Sequence, residues 1–389
     1  MKNYALSITH SCAAPLCKRA KLESALKKLR ITHYALRITH YILRITHYAL
    51  SIKHYALRIT HYILLLFLLA SCVDVDEYPD TPNGNFEALW HIIDEHYCFF
   101  DYKAETIGLN WDEVYQRYSK QFDSGMTEVQ QFEVLTNMLS ELRDGHVNLY
   151  SSFDVGRNWS WHENYPQNFA DTLLRKYLGT DYKIATGMRY RILDDNIGYI
   201  YCGSFANELG EGNLDDIMAY LMPCNGLIID IRDNGGGMIT SAEQFAARFT
   251  NKELLVGYMQ HKTGKGHSQF SAMEEQRLKP SKGIRWQKRV AILTNRSVFS
   301  AANEFVKYMR CCPNVIVVGD KTGGGAGLPF SSELPNGWGV RFSACPMYDR
   351  DKQSTEFGIE PDYNVAITDA DALQSKDTII EFARKKLAE

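Results

Sequence analysis

The stretch LTNRSVFSAANEFVKYM, residues 293–309, changes from an apolar strand-like segment to a helical one, and Ser300 lies at the turn. The first N–H groups of a helix lack internal acceptors and the helix dipole is positive there, so a negative charge developing beside Ser300 would be stabilised. Serine is also a favoured helix N-cap. Taken by itself, Ser300 is therefore better explained as a cap than as a nucleophile.

A second loop follows the apolar stretch GLIIDIR and consists of Asp233, Asn234 and three glycines, Gly235, Gly236 and Gly237. Glycines directly after a buried strand allow backbone N–H groups to face outward without a Cβ in the way, as an oxyanion hole requires. A tight turn into the next helix is the simpler explanation, but a turn does not require three glycines. We therefore predict that this loop binds an anion or a substrate oxygen.

The third loop is SELRDGHVNLYSS, in which an amphipathic helix ends near Arg143 and His146 enters a strand-like segment. An imidazole titrates near neutral pH, which suits a general base. A lone histidine is usually structural, so a catalytic role for His146 requires that the three loops converge.

The elements that must position these loops fall into two parts. Residues 86–150 contain three successive amphipathic helical patterns and predict a small helical domain. Residues 151–190 are aromatic and irregular, and we predict a connector there. Over residues 191–389 strand-like and helical segments alternate, which predicts βαβ units and a parallel sheet. The predicted fold class is α/β, with the helical domain before the α/β core.

The N-terminal part of the sequence is a near-exact repeat. Residues 31–64 repeat a seven-residue unit almost letter for letter. A coiled coil keeps its apolar pattern while its surface residues vary, so this repeat is more typical of a short DNA repeat read in frame, with a helical arm as the alternative. We excluded the repeat from the fold prediction.

A predicted export signal follows the repeat. Residues 63–70 are apolar but too few to span a bilayer as a helix, and Lys53 and Arg58 precede them. The sequence LASC then ends at Cys72, in the pattern that precedes a lipidated cysteine in bacterial lipoproteins. We predict that residues 1–71 are a leader, that Cys72 is lipidated, and that residues 72–85 are a tether. An ordinary signal with a chance cysteine is the alternative.

Charge and motifs exclude several function classes. The chain has a net charge of −3, and removing residues 1–71, which hold 11 basic residues and one acidic residue, leaves about −13. This balance argues against a nucleic-acid partner. No metal or nucleotide motif is present, so we predict no metal and no cofactor. The six cysteines after Cys72 show no disulfide framework, and buried free thiols are the simpler interpretation.

Together, five motifs resemble those of the C-terminal-processing, or tail-specific, serine proteases, in the branch of the tricorn core protease. The motifs LRDGHV, GLIIDIRDNGGG, LTNRSVFSAANEF, VVGDKTGGG and TEFGIEPD occur in the family's order over residues 86–389. The resemblance implies a crotonase-like and ClpP-like α/β core, a polypeptide substrate and acyl transfer. It makes Ser300 the nucleophile, His146 the base, and the N–H groups of Gly236 and Ala301 the oxyanion donors.

We assign the rest of the glycine loop, Asn234, Gly235 and Gly237, to substrate binding. Two departures from the family pattern affect the site. Gly325 stands where the larger branch has a lysine that deprotonates the serine, so a Ser-Lys dyad is not expected. Gly145 stands where the tricorn core has a serine.

The carboxylate that orients His146 is the least defined part of the resemblance. Glu356 in TEFGIEPD is the best candidate, and Glu360 and Asp144 are alternatives. The family also often carries a PDZ domain, but the roughly 40 residues between Tyr150 and Arg191 are too few for one.

The sequence therefore predicts a lipid-anchored serine endopeptidase of the bacterial envelope that acts on extended or unfolded polypeptides. A non-hydrolytic module that binds peptides or another ligand on the same core is the alternative, because a fold does not fix a function. The sequence makes no prediction of the oligomeric state.

Overall fold

The structure is a computed structural model that describes residues 36–37, 39–48, 50 and 78–389. Residues 78–389 form one compact unit, separate from residues 1–77. The described residues between 36 and 50 are helical. The predicted signal sequence, the lipidation site Cys72 and residues 72–77 of the predicted tether lie outside the described residues. Of the helices in the described ranges, none is both long and apolar enough to cross a bilayer.

The compact unit begins with four helices: α1 (Pro82–His96), α2 (Phe100–Ile107), α3 (Trp111–Tyr118) and α4 (Glu128–Ser140). Local capping sets their starts. Thr81 accepts the Gly84 N–H ahead of α1, and Pro82 occupies the first helical position. Thr127 and Gln130 form a reciprocal capping box at the start of α4. The structure thus contains α2 in addition to the helices that the amphipathic patterns predicted.

Residues 141–192 hold short elements: β1 (Asn148–Tyr150), β2 (Val155–Arg157), α5 (Ser160–Glu163), α6 (Asp171–Leu178), β3 (Lys183–Ala185) and β4 (Met188–Ile192). The remainder contains β5 (Ile197–Tyr201), α7 (Glu211–Leu221), β6 (Gly226–Asp230), α8 (Ile239–Ala246), β7 (Leu254–Met259), β8 (Glu274–Leu278), β9 (Val290–Thr294), α9 (Ala301–Met309), β10 (Val315–Gly319), β11 (Gly327–Glu333), β12 (Gly339–Tyr348), β13 (Tyr363–Asn364), α10 (Asp369–Leu373) and α11 (Thr378–Ala388). The segment 151–190, predicted to be an irregular connector, thus carries short strands and helices.

A seven-stranded sheet forms the core, in the order β13-β10-β9-β6-β5-β4-β3. The strands from β13 to β5 are parallel, and β4 and β3 are antiparallel. Both faces are covered: Leu227 and Ile229 of β6 join a cluster that includes α7, α8 and α9, whereas Ile228 joins one that includes α6 and α11. This alternation follows from the period of two along a strand. The predicted α/β fold class is confirmed.

A second, antiparallel sheet has the order β2-β1-β12-β7-β8, with β11 also paired to β12. The N-terminal helices pack on this sheet, since Phe132 and Leu135 of α4 share a hydrophobic cluster with Leu149 and Val340. The loop between α4 and β1 contains His146, so packing of these helices on the second sheet sets its position.

A buried ion network fixes the end of β6. The Arg232 guanidinium is fully buried and donates to both oxygens of Asp230 and to Asp377 Oδ2, at 2.6–2.9 Å. Asp377 also caps α11 by accepting the N–H groups of Ile379 and Ile380. Because a buried charge requires a partner, this network ties β6 and its following glycine loop to α11.

Candidate active site

The structure brings Ser300 and His146 into contact. The Nε2 atom of His146 lies 2.9 Å from Ser300 Oγ, although 154 residues separate the two in the chain. Ser300 directly precedes α9, and among the described residues its hydroxyl caps no N–H of that helix. The hydroxyl of Ser300 is therefore directed at an imidazole and does not act as an N-cap.

The Ser300 backbone is strained, with φ 56° and ψ −124°. A non-glycine residue rarely adopts positive φ, and such a conformation persists only where the surrounding structure enforces it. The Ser300 N–H donates to Gly324 O at 2.8 Å, and the Phe299 N–H donates to Asn234 O at 3.1 Å. These two bonds join the turn to both neighbouring loops.

Three adjacent parallel strands explain why these loops meet. The order β10-β9-β6 places the carboxyl ends of these strands side by side. The glycine loop follows β6, the Ser300 turn follows β9, and the loop that contains Gly324 follows β10. The carboxyl edge of such a sheet is where α/β proteins usually bind ligands.

His146 is buried, and its position is set mainly through its backbone. Its N–H donates to Asp144 Oδ1 at 2.7 Å, and Asp144 Oδ2 accepts from the hydroxyls of Tyr97 and Ser343 at 3.0 and 2.8 Å. Burial lowers the pKa of His146 to about 4, against the opposing effect of Asp144. The near-neutral pKa expected from residue type is therefore shifted down, and His146 is a neutral base at physiological pH.

Glu356 and Glu360, two of the carboxylates predicted to orient the imidazole ring, bond to other groups. Glu356 accepts from Lys103 Nζ at 3.1 Å and from the Ala326 N–H at 2.9 Å, and Glu360 pairs with Lys321 on the surface. Within residues 78–389, His146 Nδ1 is buried without a hydrogen-bond partner. The expectation that Glu356 bonds the ring is corrected, because Glu356 is directed to Lys103 and Ala326 and makes no hydrogen bond to His146 Nδ1.

Lys103 is a site component that the sequence analysis missed. Its side chain is fully buried and donates to Glu356 Oε1 and to the Arg143 carbonyl, each at 3.1 Å. Burial and Asp144 raise the pKa of Glu356 to about 7, while Lys103 opposes this rise. Lys103 therefore links α2, the loop before His146 and the loop that carries Glu356. A lysine on an amphipathic helix gives no sequence signal for such a role.

The glycine loop packs directly on the serine turn. A Cβ added to Gly236, which has φ +100°, would lie 2.9 Å from Ser300 Cβ and 3.0 Å from the Ala301 nitrogen. A Cβ on Gly237 would lie 2.2 Å from the Phe205 carbonyl carbon, whereas one on Gly235 would meet nothing within 4 Å. Close backbone approach therefore requires glycine at 236 and 237, but not at 235.

The two predicted oxyanion donors differ in availability. Ala301 is the first residue of α9, so its N–H has no intrahelical acceptor. The Gly236 N–H donates to Asn234 Oδ1 at 2.9 Å. Asn234 is fully buried, and its Nδ2 donates to Cys202 O, also at 2.9 Å. The Asn234 side chain, assigned to substrate binding from the sequence, therefore shapes the loop and does not face a substrate.

A pair of stacked aromatic rings covers the other side of the site. The rings of Trp161 and Phe299 stack with centroids 4.2 Å apart, and Phe299 lies 4.7 Å from the His146 ring. A Cβ on Gly145 would lie 2.6 Å from Trp161 Nε1, and one on Gly325 would lie 2.5 Å from the Phe299 ring. The two departures from the family pattern are thus positions at which this aromatic pair leaves room only for glycine.

A cleft of about 450 Å³ opens beside these rings. Gly145 and Phe299, which directly precede His146 and Ser300, line it together with Trp161, Tyr165 and Arg296. Trp161 and Tyr165 come from the segment 151–190, whose high aromatic content was the only sequence signal for this wall. The cleft gives an extended ligand a place beside the residues that precede His146 and Ser300 in the chain.

A serine hydroxyl bonded to a buried imidazole, at the carboxyl edge of a parallel sheet and the start of a helix, is the arrangement of a nucleophilic hydrolase. Comparison with known proteins agrees. The family description "Peptidase family S41" matches residues 196–365, and "Tricorn protease C1 domain" matches residues 78–140.

A protein from Parabacteroides merdae assigned as a peptidase has a crystal structure similar to this one, at 52% identity and a TM-score of 0.76, covering 80% of this chain and 98% of that chain. Mature CPAF complexed with lactacystin shares the fold, at 11% identity and a TM-score of 0.62 over 79% of this chain and 97% of that one. A probable CtpA-like serine protease of Staphylococcus epidermidis is 27% identical over 173 residues, which are 44% of this chain and 34% of the relative. The match thus spans about a third of that curated relative.

The chain belongs to peptidase family S41. By family it is a serine-type peptidase, and the family recognised from the sequence motifs is confirmed.

The packing of Gly236 on Ser300 generates a prediction. Gly236→Ala should lower kcat for peptide hydrolysis by about 100-fold or more, because the new Cβ displaces the serine turn and the Ala301 N–H. Gly212→Ala is the matched control, since a Cβ there meets nothing within 4 Å. Steady-state kinetics, with circular dichroism to check folding, measure the effect. Wild-type kcat in Gly236→Ala would refute this account of the loop.

Burial of His146 predicts how stability depends on pH. Its pKa is lowered from 6.5 to about 4 in the folded state, so the unfolded chain binds more protons between these values. The free energy of unfolding should therefore fall by roughly 3 kcal/mol as the pH drops through this window. Urea titrations should show a flatter pH profile in His146→Gln than in the wild type. His96→Gln, at an exposed position, is the control, and an unchanged profile in His146→Gln would contradict the prediction.

Proposed function

We propose that the protein is a serine endopeptidase that hydrolyses peptide bonds in extended or unfolded polypeptides, through an acyl-enzyme on Ser300 with His146 as the base. The observation that carries this proposal is the 2.9 Å contact between His146 Nε2 and Ser300 Oγ at a strained turn. A hydroxyl held by an imidazole on a backbone of positive φ is arranged for attack rather than for stability.

The reaction follows from the geometry. His146 Nε2 removes the Ser300 proton as Oγ attacks the peptide carbonyl carbon, and the carbonyl oxygen becomes an oxyanion. The Ala301 N–H stabilises this charge together with the dipole of α9. The Gly236 N–H donates to Asn234 Oδ1 in the structure, so it can join Ala301 only if it leaves or shares that acceptor. His146 then donates its proton to the leaving amine. Water, deprotonated by His146, attacks the ester and frees Ser300.

Three features support a histidine base over a lysine base. Gly325 has φ +80°, and the Phe299 ring occupies the space that a side chain there would need. Lys321 is directed to Glu360 Oε1 at 2.9 Å on the surface. A buried neutral imidazole also needs no prior deprotonation at physiological pH.

The substrate class and location are further parts of the proposal. The open cleft beside Ser300 favours an extended polypeptide segment, and no cofactor is proposed. We also propose that Cys72 carries a lipid anchor in the bacterial envelope, facing the periplasm or the cell surface. This part rests on the sequence pattern at residues 63–72 and on the acidic, turn-rich stretch after it.

A non-hydrolytic binding module is the second candidate. It is favoured by one observation: among the described residues no carboxylate bonds His146 Nδ1. Without such a partner, an imidazolium formed during the reaction is stabilised only by the field of Asp144, which raises the pKa of His146 without a hydrogen bond to the ring.

Mutant kinetics test the peptidase. Ser300→Ala and His146→Ala should each lower kcat for an unfolded protein substrate by at least about 1,000-fold, and the double variant should be little worse, because the two residues act as one unit. Lys321→Ala is the matched control and should retain most activity. A Lys321→Ala variant as inactive as Ser300→Ala, with active His146→Ala, would refute the histidine mechanism. Absence of any Ser300-dependent turnover would favour the binding module.

The proposed lipid anchor at Cys72 can be tested separately from the peptidase activity. The mature chain should begin at Cys72 with an acylated N-terminus, because the short apolar run and LASC directly precede it. Cys72→Ala should move the protein from the membrane fraction to the soluble fraction without loss of activity. Intact mass of the membrane-bound protein measures the anchor. A soluble wild-type product that still carries residues 31–71 would contradict it.

A further inference from the structure

Among residues 78–389, every buried lysine or arginine except Arg296 pairs with a carboxylate. Lys103, Arg232, Arg248 and Lys307 each lie within 4.0 Å of a carboxylate oxygen. Arg296 is 9% exposed, and no carboxylate of the described residues pairs with it. Its Nε donates to Trp161 O at 3.1 Å, and its Nη1 donates to Thr322 O at 3.2 Å. Its Nη2 has no protein acceptor among these residues.

A buried guanidinium without a counter-ion is costly, because carbonyl dipoles replace its water shell only in part. The other four buried cations avoid this cost within the chain, whereas Arg296 lines the cleft beside Ser300. An anionic group of a ligand in that cleft would supply the counter-ion that Arg296 lacks. The planar guanidinium is suited to a carboxylate that accepts two hydrogen bonds.

The cleft contains a second arginine without a carboxylate partner among the described residues. Arg143 lines it from the loop that precedes His146, is exposed, and makes no side-chain hydrogen bond or ion pair with residues 78–389. The one acidic residue of the lining, Glu356, is neutralised by Lys103. The cleft therefore presents uncompensated positive charge beside Gly145 and Phe299, the residues that precede His146 and Ser300.

Aromatic rings line the cleft around its two arginines. Arg296 stacks on the Tyr165 ring at 3.9 Å, and Trp161 stacks on Phe299. Gly145 and Phe299 line the cleft, and each directly precedes a residue of the catalytic pair in the sequence. A side chain bound here belongs to a substrate residue close to the scissile bond.

We propose that this cleft is a specificity subsite in which Arg296 and Arg143 bind a carboxylate of the polypeptide substrate next to the scissile bond. An Asp or Glu side chain supplies that group, and a free C-terminal carboxylate offers the same chemistry. The proposal rests on the peptidase function and names its preferred substrate class.

Arg296 has an alternative role as a structural clamp, since its bonds to Trp161 O and Thr322 O hold the α5 segment on the loop after β10. A clamp alone would affect stability and all substrates equally. It would not distinguish a carboxylate from an amide of the same shape, so Glu and Gln substrates separate the two roles.

The test begins with a peptide that the full chain cleaves in denatured casein, identified by mass spectrometry and resynthesised with blocked ends. Versions with Glu or Gln at each position flanking the cleaved bond are compared. We expect kcat/KM to be at least about 10-fold higher for Glu at one position, because a charge-assisted bidentate contact is lost in the amide. A third version has Gln at that position and a free C-terminus near the scissile bond. Its kcat/KM shows whether a C-terminal carboxylate can replace the Glu side chain.

Variants link the preference to the arginines. Arg143→Gln should reduce the Glu/Gln ratio severalfold, and Arg296→Gln should reduce it to near 1 while thermal unfolding reports on its folding. If Arg296→Gln does not fold, Arg143→Gln carries the test alone. Arg350→Gln removes an equal charge outside the cleft and should leave the ratio unchanged. Equal kcat/KM for Glu, Gln and both end groups in the wild type would overturn the subsite.

Binding to Ser300→Ala separates this proposal from the peptidase itself. Calorimetry should show tighter binding of the Glu peptide than of the Gln peptide, with the difference reduced in Ser300→Ala/Arg143→Gln. Such a preference without turnover in the wild type would support the subsite and refute the peptidase. Equal affinities for all versions would overturn the subsite whether or not the protein hydrolyses peptides.

Discussion

The site depends on one contact between two parts of the compact unit, the 2.9 Å approach of His146 Nε2 to Ser300 Oγ. Ser300 is fixed by the parallel sheet and α9, whereas His146 is fixed by the N-terminal helices on the antiparallel sheet. Asp144 ties the second of these parts together, since it holds the His146 backbone and accepts from Tyr97 of the N-terminal segment and Ser343 of β12. Helix packing far from the cleft therefore determines whether the serine has a base.

Glycines and aromatic rings close the site around this contact. Gly236 allows its loop to touch Ser300, while Gly145 and Gly325 make room for Trp161 and Phe299. The Phe299 ring lies against His146, whose burial lowers its pKa and keeps it neutral. The same ring occupies the space that a side chain at position 325 would need.

Sequence pattern predicted the parallel core, because strand-like and helical segments alternate. The Ser300–His146 pair came from the resemblance of the ordered motifs to a known family, since Ser300 and His146 taken singly favoured structural roles. It did not predict the antiparallel sheet, since β12 mixes buried and half-buried positions without strict alternation. Glu356 was assigned to the imidazole from the resemblance, and its partner Lys103, 253 residues away, could not be found from the sequence. Asn234 was assigned to substrate because burial of its amide depends on Cys202, which no local pattern reveals.

The most direct test of the account is the rate at which a fluorophosphonate labels the protein, followed by peptide mass mapping. If His146 activates Ser300, a single adduct should form on Ser300, and His146→Ala should slow its formation by at least about 100-fold. Labelling of Ser300 at the wild-type rate in His146→Ala, or an adduct at another residue, would contradict the central claim.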